Sequence, residues 1–256
     1  MSAATSPTSK PAPNEASQAP GPALYLLPVG LGGGDAASLL PAQTLQTIRR
    51  LRHFVVENAK TARASLRWCG HPSSLRELDI AVITTATANA DIDRLLQPLG
   101  AGLDLGVMSE AGCPGVADPG ALLVRRAHQR GFSVRPLIGP SSLLLALMAS
   151  GLDGQRFAFH GYLPRRDPQR SQRIVALEAQ SRRDQQTQLF IETPYRNAAL
   201  FDALLASCRA DTLLCVASDL TLADERVCSR TIGAWRAAAP PDLQRRPCVF
   251  LLLSAG

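Results

Sequence analysis

Three short segments rich in glycine and proline carry the residues best suited to hold a small ligand. The first, Val29-Gly30-Leu31-Gly32-Gly33-Gly34-Asp35, follows an apolar run at 24–28. The second, Ser109-Glu110-Ala111-Gly112-Cys113-Pro114-Gly115-Val116-Ala117-Asp118-Pro119-Gly120, follows an apolar run at 105–108. The third, Ile138-Gly139-Pro140-Ser141-Ser142, joins a strand-like stretch to a helix-like one. Taken alone, the first segment admits three readings: a dinucleotide loop, a plain turn, or a loop for another ligand. Gly32-x-Gly34-x-x-Ala37 satisfies the dinucleotide pattern, with Glu57 about 20 residues further on. Two features count against it. Asp35 would set a carboxylate against a pyrophosphate, and the next helical pattern begins only near Pro41, too late for its N-terminal N–H groups to serve the loop.

Ligands of open α/β sheets bind beyond the carboxyl ends of the strands, and here three strand ends carry Gly/Pro loops. Backbone groups in such loops hold an adenosine-like ligand without many charged side chains. Other reactive residue types are less informative. The six cysteines include no Cys-x-x-Cys pair, and His53, His71, His128 and His160 have no metal-ligand spacing, so no metal site is expected. Cys113 reads as a small packed side chain, and Trp68 and Trp235 as packing residues.

The elements that would position these loops alternate. Strand-like runs occupy 24–28, 54–57, 80–84, 105–109, 134–138, 157–163, 188–192, 213–218, 226–232 and 248–253. Helical patterns lie at 41–51, 91–99, 119–130, 141–151, 170–182 and 195–208. This order predicts an α/β protein with a mostly parallel sheet in its first half. The second half ends on consecutive strands, which predicts a mixed sheet. A Gly-, Pro- and charge-bearing stretch near residue 154 divides the chain into an N-terminal domain, 23–153, and a C-terminal domain, 154–256. Residues 1–22, built of Ala, Ser, Pro, Thr and Gly, are expected to be a disordered tail.

The chain has 256 residues, of which 46% are hydrophobic and 19% charged, enough apolar material for an ordinary core. No apolar run reaches the roughly 18 residues of a membrane span, and no signal peptide is visible; a cytoplasmic protein with reduced thiols is expected. The net charge is +6, and Lys10 and Lys60 are the only lysines. An arginine-rich surface favours an anionic partner, though an Ala/Leu/Arg compositional habit gives the same balance.

Read together in chain order, these segments resemble the tetrapyrrole-methylase superfamily of class III S-adenosylmethionine (SAM) methyltransferases, nearest its ribosomal-RNA branch. The resemblance is carried by the three loops, by Ser150-Gly151-Leu152, by Gly161-Tyr162-Leu163-Pro164-Arg165 and by Phe190-Ile191-Glu192-Thr193-Pro194-Tyr195-Arg196. Departures fall in the substrate elements. The branch's usual Glu-Asp-Thr-Arg is here Glu57-Asn58-Ala59-Lys60, its histidine-bearing stretch before the third strand is absent, and its Glu-Leu-Thr-Lys is replaced at 218–222.

The resemblance implies SAM in a cleft between the two halves, touching Pro28, Ala111, Gly112, Cys113, Val116, Ser141, Ser142, Ile191 and Glu192. It implies 2′-O-methylation of rRNA, with RNA or a ribosomal subunit as partner, and a homodimer. Methylation of a small molecule such as a tetrapyrrole, or a non-catalytic RNA-binding descendant, stay open alternatives. A ribose hydroxyl is a weak acid, so Glu57 is assigned as base and Lys60 as electrostatic helper, placed beside the first glycine loop if their strands are neighbours. Asp35, Asn58, Arg165, Tyr195 and Arg196 are assigned to the acceptor side. Tyr195 and Arg196 would stack on a base or cap the following helix. Arg165, Arg166, Arg170, Arg173, Arg182 and Arg183 would contact phosphates or form a solvated face.

Overall fold

The computed structural model describes residues 21–254. The expected tail lies outside the described residues apart from Gly21 and Pro22, which belong to no strand or helix. Two five-stranded sheets form the protein. The first contains β1 (Ala23–Leu26), β2 (His53–Val56), β3 (Asp79–Val82), β4 (Leu105–Met108) and β5 (Ser133–Pro136), all parallel, in the order β3-β2-β4-β1-β5. Its three inner strands read as unbroken apolar runs because both faces are covered by helices. Alternation of side chains explains the two cores. Tyr25, Phe54, Val56 and Met108 point into one, with Ala36, Ile48, Ala62 and Leu66 from the helices α1 (Ala36–Leu39), α2 (Ala42–Arg50) and α3 (Ala59–Trp68). Leu24, Val55, Leu105 and Val107 point into the other, against α4 (Asn89–Leu95), α5 (Gln97–Gly100) and α6 (Gly120–Gln129).

α7 (Ser142–Ser150) leads to the second sheet, built of β6 (Phe157–Tyr162), β7 (Thr187–Ile191), β8 (Leu213–Ser218), β9 (Arg226–Thr231) and β10 (Cys248–Leu253). The order is β6-β7-β10-β8-β9; β6 and β7 are parallel and the remaining pairs antiparallel, so the sheet is mixed as expected. One face packs on α8 (Gln169–Asp184), α9 (Asn197–Ser207) and α10 (Ile232–Arg236) through Phe190, Phe250, Leu204 and Trp235. Ala146 and Leu147 of α7 pack on the other face, with Leu189, Cys215 and Leu251. An apolar helix that precedes the anticipated dividing point near residue 154 thus rests on the second sheet.

Three sequence expectations need correction. The chain turns into helix at Ala36, not near Pro41, because the Asp35 carboxylate accepts the Ala37 N–H at 2.8 Å and caps α1. α3 was not foreseen; its few apolar positions, Ala62 and Leu66, form a narrow buried stripe, and the side-chain oxygen of Asn58 caps it by accepting from Lys60 N at 2.9 Å. β1 and β2 are not neighbours. β4 lies between them, which sets Glu57 beside the second Gly-rich loop and not the first.

Close backbone approaches fix the loops at the carboxyl ends of β1, β4 and β5, which are adjacent strands. Val29 and Gly112 exchange two backbone hydrogen bonds, of 2.9 and 3.2 Å. Gly139 lies over Pro28 so closely that an added Cβ would stand 2.3 Å from the proline Cβ and 3.1 Å from Leu40 Cδ2. A proline ring cannot swing aside as a long side chain does. Gly139→Ala is therefore expected to lower stability by about 2 kcal/mol, in the range of core overpacking, which for a chain this long is a thermal midpoint lower by roughly 4–8 °C. An unchanged midpoint in a calorimetric scan would show that the ring yields without cost.

Candidate functional site

The second Gly-rich loop is shaped by one carboxylate. Asp118 accepts the Gly115 N–H at 2.9 and 3.0 Å and the Gly120 N–H at 2.6 Å, closing the turn that leads into α6. Gly120 has no room for a side chain, since a Cβ would lie 2.7 Å from Asp118 Oδ1. Ser109 Oγ donates to Ala111 O at 3.0 Å, and Cys113 Sγ to Pro140 O at 3.4 Å, tying the second loop to the third. Burial pushes the Cys113 thiol up, so it stays protonated and acts as a packed side chain.

These loops and the second sheet enclose two adjoining cavities. The first, about 250 Å³, is lined by Glu57, Glu110, Ala111, Gly112, Cys113, Val116, Asp118, Ser141 and Ser142, and by Phe159, Tyr162 and Ile191 across the gap. The second, about 260 Å³, shares Ala111, Ser142, Tyr162 and Ile191 and continues past Leu31, Glu192, Leu220 and Val249. Seven of the nine residues assigned to the cofactor thus line the first cavity and Glu192 the second, while Pro28 supports Gly139 from below. Phe159, Tyr162 and Asp118 line the site without having been assigned a role. For Asp118 the signal was present in Asp118-Pro119-Gly120, a turn tripeptide whose aspartate is placed to accept backbone N–H groups.

The acceptor-side set disperses. Asp35 and Asn58 cap α1 and α3. Arg165 and Tyr195 are exposed, and Lys60 is exposed in the first turn of α3. Arg196 donates to Glu192 Oε1 at 2.5 Å and lies over the Tyr195 ring, 5.1 Å from its centroid. Burial alone would push the Glu192 carboxyl up. The Arg196 and Thr193 bonds outweigh that and hold it below the usual range. Glu192 is thus a neutralised ion in the cleft wall.

No lysine, arginine or histidine lines either cavity, whereas Glu57, Glu110 and Asp118 all line the first. A +6 protein thus presents a carboxylate-walled cleft. This is unsuited to a pyrophosphate and suited to a ligand carrying positive charge. The apolar walls and free loop backbone suit a flat heterocycle. The sequence profile of the tetrapyrrole (corrin/porphyrin) methylases matches residues 23–235. The chain belongs to this family.

Relatives agree. The ribosomal RNA small subunit methyltransferase I of Mesorhizobium japonicum is 31% identical over 232 residues, covering 89% of this chain and 75% of that protein. The protein of the same name from Xylella fastidiosa (strain Temecula1) is 34% identical over 164 residues, 64% of this chain. Against that relative the match spans only 59% of its length. Among solved structures, the methyltransferase CobJ superposes with a TM-score of 0.58 at 18% identity, covering 93% of this chain and 95% of its own, which is a likeness of fold.

The carboxyl of Glu57 is held above its ordinary value, first by burial and then by the nearby charges of Glu110 and Asp118; the Glu110 N–H, which donates to it at 3.3 Å, opposes the rise. A carboxyl raised on folding costs nothing below its unfolded value; the destabilisation builds as pH rises from there to the folded value and is complete above it. Glu57→Gln keeps the acceptor and removes the charge. It is expected to melt higher than the native chain at pH 7, with the difference vanishing below the ordinary glutamate value near 4.3. Thermal scans across that range check this, and a variant less stable at pH 7 would contradict it.

Proposed function

We propose that this two-domain chain is a SAM-dependent methyltransferase whose acceptor is RNA, the ribose 2′-oxygen of a small-subunit rRNA nucleotide. The observation that carries the cofactor is the carboxylate-walled cleft, free of basic side chains, at the carboxyl ends of β1, β4 and β5. The acceptor class rests on the relatives named as small-subunit rRNA methyltransferases, one of them matched over most of both chains, and on the net charge of +6. Among the described residues no helix is long and apolar enough to cross a membrane.

Under this reading, the backbone of Ala111, Gly112 and Cys113, the Ser141 and Ser142 end of α7, and Ile191 with Glu192 hold the cofactor, whose sulfonium supplies an already activated methyl group. The chain's own task is then alignment and proton removal. Glu57 stands at the cavity wall with its basicity raised by burial, fit to take the ribose proton. Lys60, one turn into α3, lends positive potential to the developing alkoxide. Asp118 keeps the loop preorganised without touching the acceptor.

The direct test incubates the purified chain with SAM and unmodified small ribosomal subunits, followed by mass spectrometry of the rRNA nucleosides. One new 2′-O-methyl nucleoside is expected; methyl transfer to a tetrapyrrole and none to rRNA would overturn the acceptor. Glu57→Gln is expected to lose about 100-fold or more in kcat, the lower end of general-base contributions, while calorimetric SAM affinity is unchanged. In the native enzyme kcat/KM should climb with pH through the ionisation of Glu57, at a midpoint above 4.3, and the variant should lose that rise. Full turnover by Glu57→Gln would remove Glu57 from the mechanism.

A further inference from the structure

α3 carries three cations and no acid. Lys60, Arg63 and Arg67 are all exposed. At about 100° per residue they fill one continuous arc of the helix surface. Ala64, Trp68 and Ser65 fill the next arc, while Ala62 and Leu66 face the core. That second arc forms one wall of an open cleft of about 250 Å³, and the other wall is the first glycine loop, Gly30 with Gly32, Gly33 and Gly34. The indole of Trp68 is fixed there. Its Nε1–H donates to Gly34 O at 2.9 Å, and its Cη2 lies 3.0 Å from where a Cβ on Gly30 would stand.

The charge pattern of α3 differs from that of α6 and α8. Arg126 and Arg130 share Asp93, Arg170 pairs with Asp167, and Arg183 with Asp184. Among the described residues Lys60, Arg63 and Arg67 form no ion pair, and Arg63 donates only to Ala59 O of its own helix. No carboxylate lines the Trp68 cleft. α3 starts two residues after Glu57, so the basic arc runs outward from the reacting cavity, roughly 10 Å from Lys60 to Arg67 at 1.5 Å per residue.

We infer that α3 and the first glycine loop form the docking groove for single-stranded RNA flanking the acceptor nucleotide. Arg63 and Arg67 bind its phosphates, and a neighbouring base stacks on Trp68. This rests on the reading of the chain as an RNA methylase. Unpaired RNA suits the groove because recognition of splayed bases depends on an aromatic platform beside a cationic track.

Trp68 gives the experiment its own reporter. The chain has two tryptophans, and Trp235 is buried in the second core with its Nε1–H bonded to Leu214 O. Titration of the full-length protein with oligocytidylate should quench the half-buried indole of Trp68 at the cleft. Arg63→Gln/Arg67→Gln should weaken RNA binding about tenfold or more at low salt. It should lower the slope of log affinity against log salt by about 1.4, or 0.7 per phosphate lost, with SAM affinity retained. Arg209→Gln, which removes an exposed cation paired with Asp211, should alter neither. If the native chain binds RNA but the double variant binds equally well with the same slope, the groove assignment falls and the RNA reading survives. If the native chain binds no RNA at any salt concentration while still binding SAM, both fall.

Discussion

The contact between Pro28 and Gly139 is the constraint on which the cleft depends. β1 and β5 are neighbours, so the loops leaving them must pass each other within the width of one strand spacing. They do so only because one position has no side chain and the other is a rigid ring. The Val29–Gly112 bridge imposes the same closeness between the loops of β1 and β4. Three strand ends are thereby locked into one surface whose backbone is left facing the cavity. Asp118 completes the arrangement from within, holding Gly115 and Gly120 around its carboxylate. The cavity is rigid because its walls are tied backbone to backbone, independently of any ligand.

Charge is segregated over this frame. Carboxylates occupy the cleft, and basic groups lie outside it, on α3 and at Arg165 and Arg166. Glu57 sits at the boundary. Its backbone N–H is held by Met108 O and its carboxylate by Glu110 N, so it is anchored to the end of β4 although it follows β2. Insertion of β4 between β1 and β2 makes this possible. Had β1 and β2 been adjacent, Glu57 would have faced a loop with no carboxylate but Asp35, which is spent on capping α1. Its raised basicity follows first from burial and then from the strand order that sets Glu110 and Asp118 beside it.

Much of this was legible in the sequence, and the exceptions have physical causes. Inner strands declared themselves as apolar runs, and the Ser109–Gly120 and Gly139–Ser142 loops by glycine and proline at strand ends. Periodicity carries no information about which strand lies between which, so the sequence leaves the neighbour of Glu57 conditional on strand order, which β4 decides. α3 is hard to see because only Ala62 and Leu66 are fully buried, with Ala59 and Trp68 packed partly against the same core, too few for a clear period. α1, one turn long, has no period to detect, and only Asp35 as its cap marked it. Phe159 and Tyr162 lie in the strand-like run 157–163 but reach the cleft only because the second sheet is folded against the first.

The division of labour between strands explains why the departures from the family pattern fall where they do. The loops that line the cleft leave β1, β4 and β5, and a Cβ added there at Gly139 or Gly120 would stand 2.3 Å from Pro28 or 2.7 Å from Asp118. Elements nearer the proposed acceptor, Glu57 through Lys60 and α3, follow β2 and meet that frame through the Glu57 N–H on Met108 O, the Glu57 carboxylate on Glu110 N and Trp68 on Gly34. Asn58 can replace an aspartate as helix cap, and Lys60 an arginine in an exposed first turn, without disturbing the cleft. A cleft fixed by close packing of its loops thus tolerates changes on the neighbouring helix that leave its own walls in place.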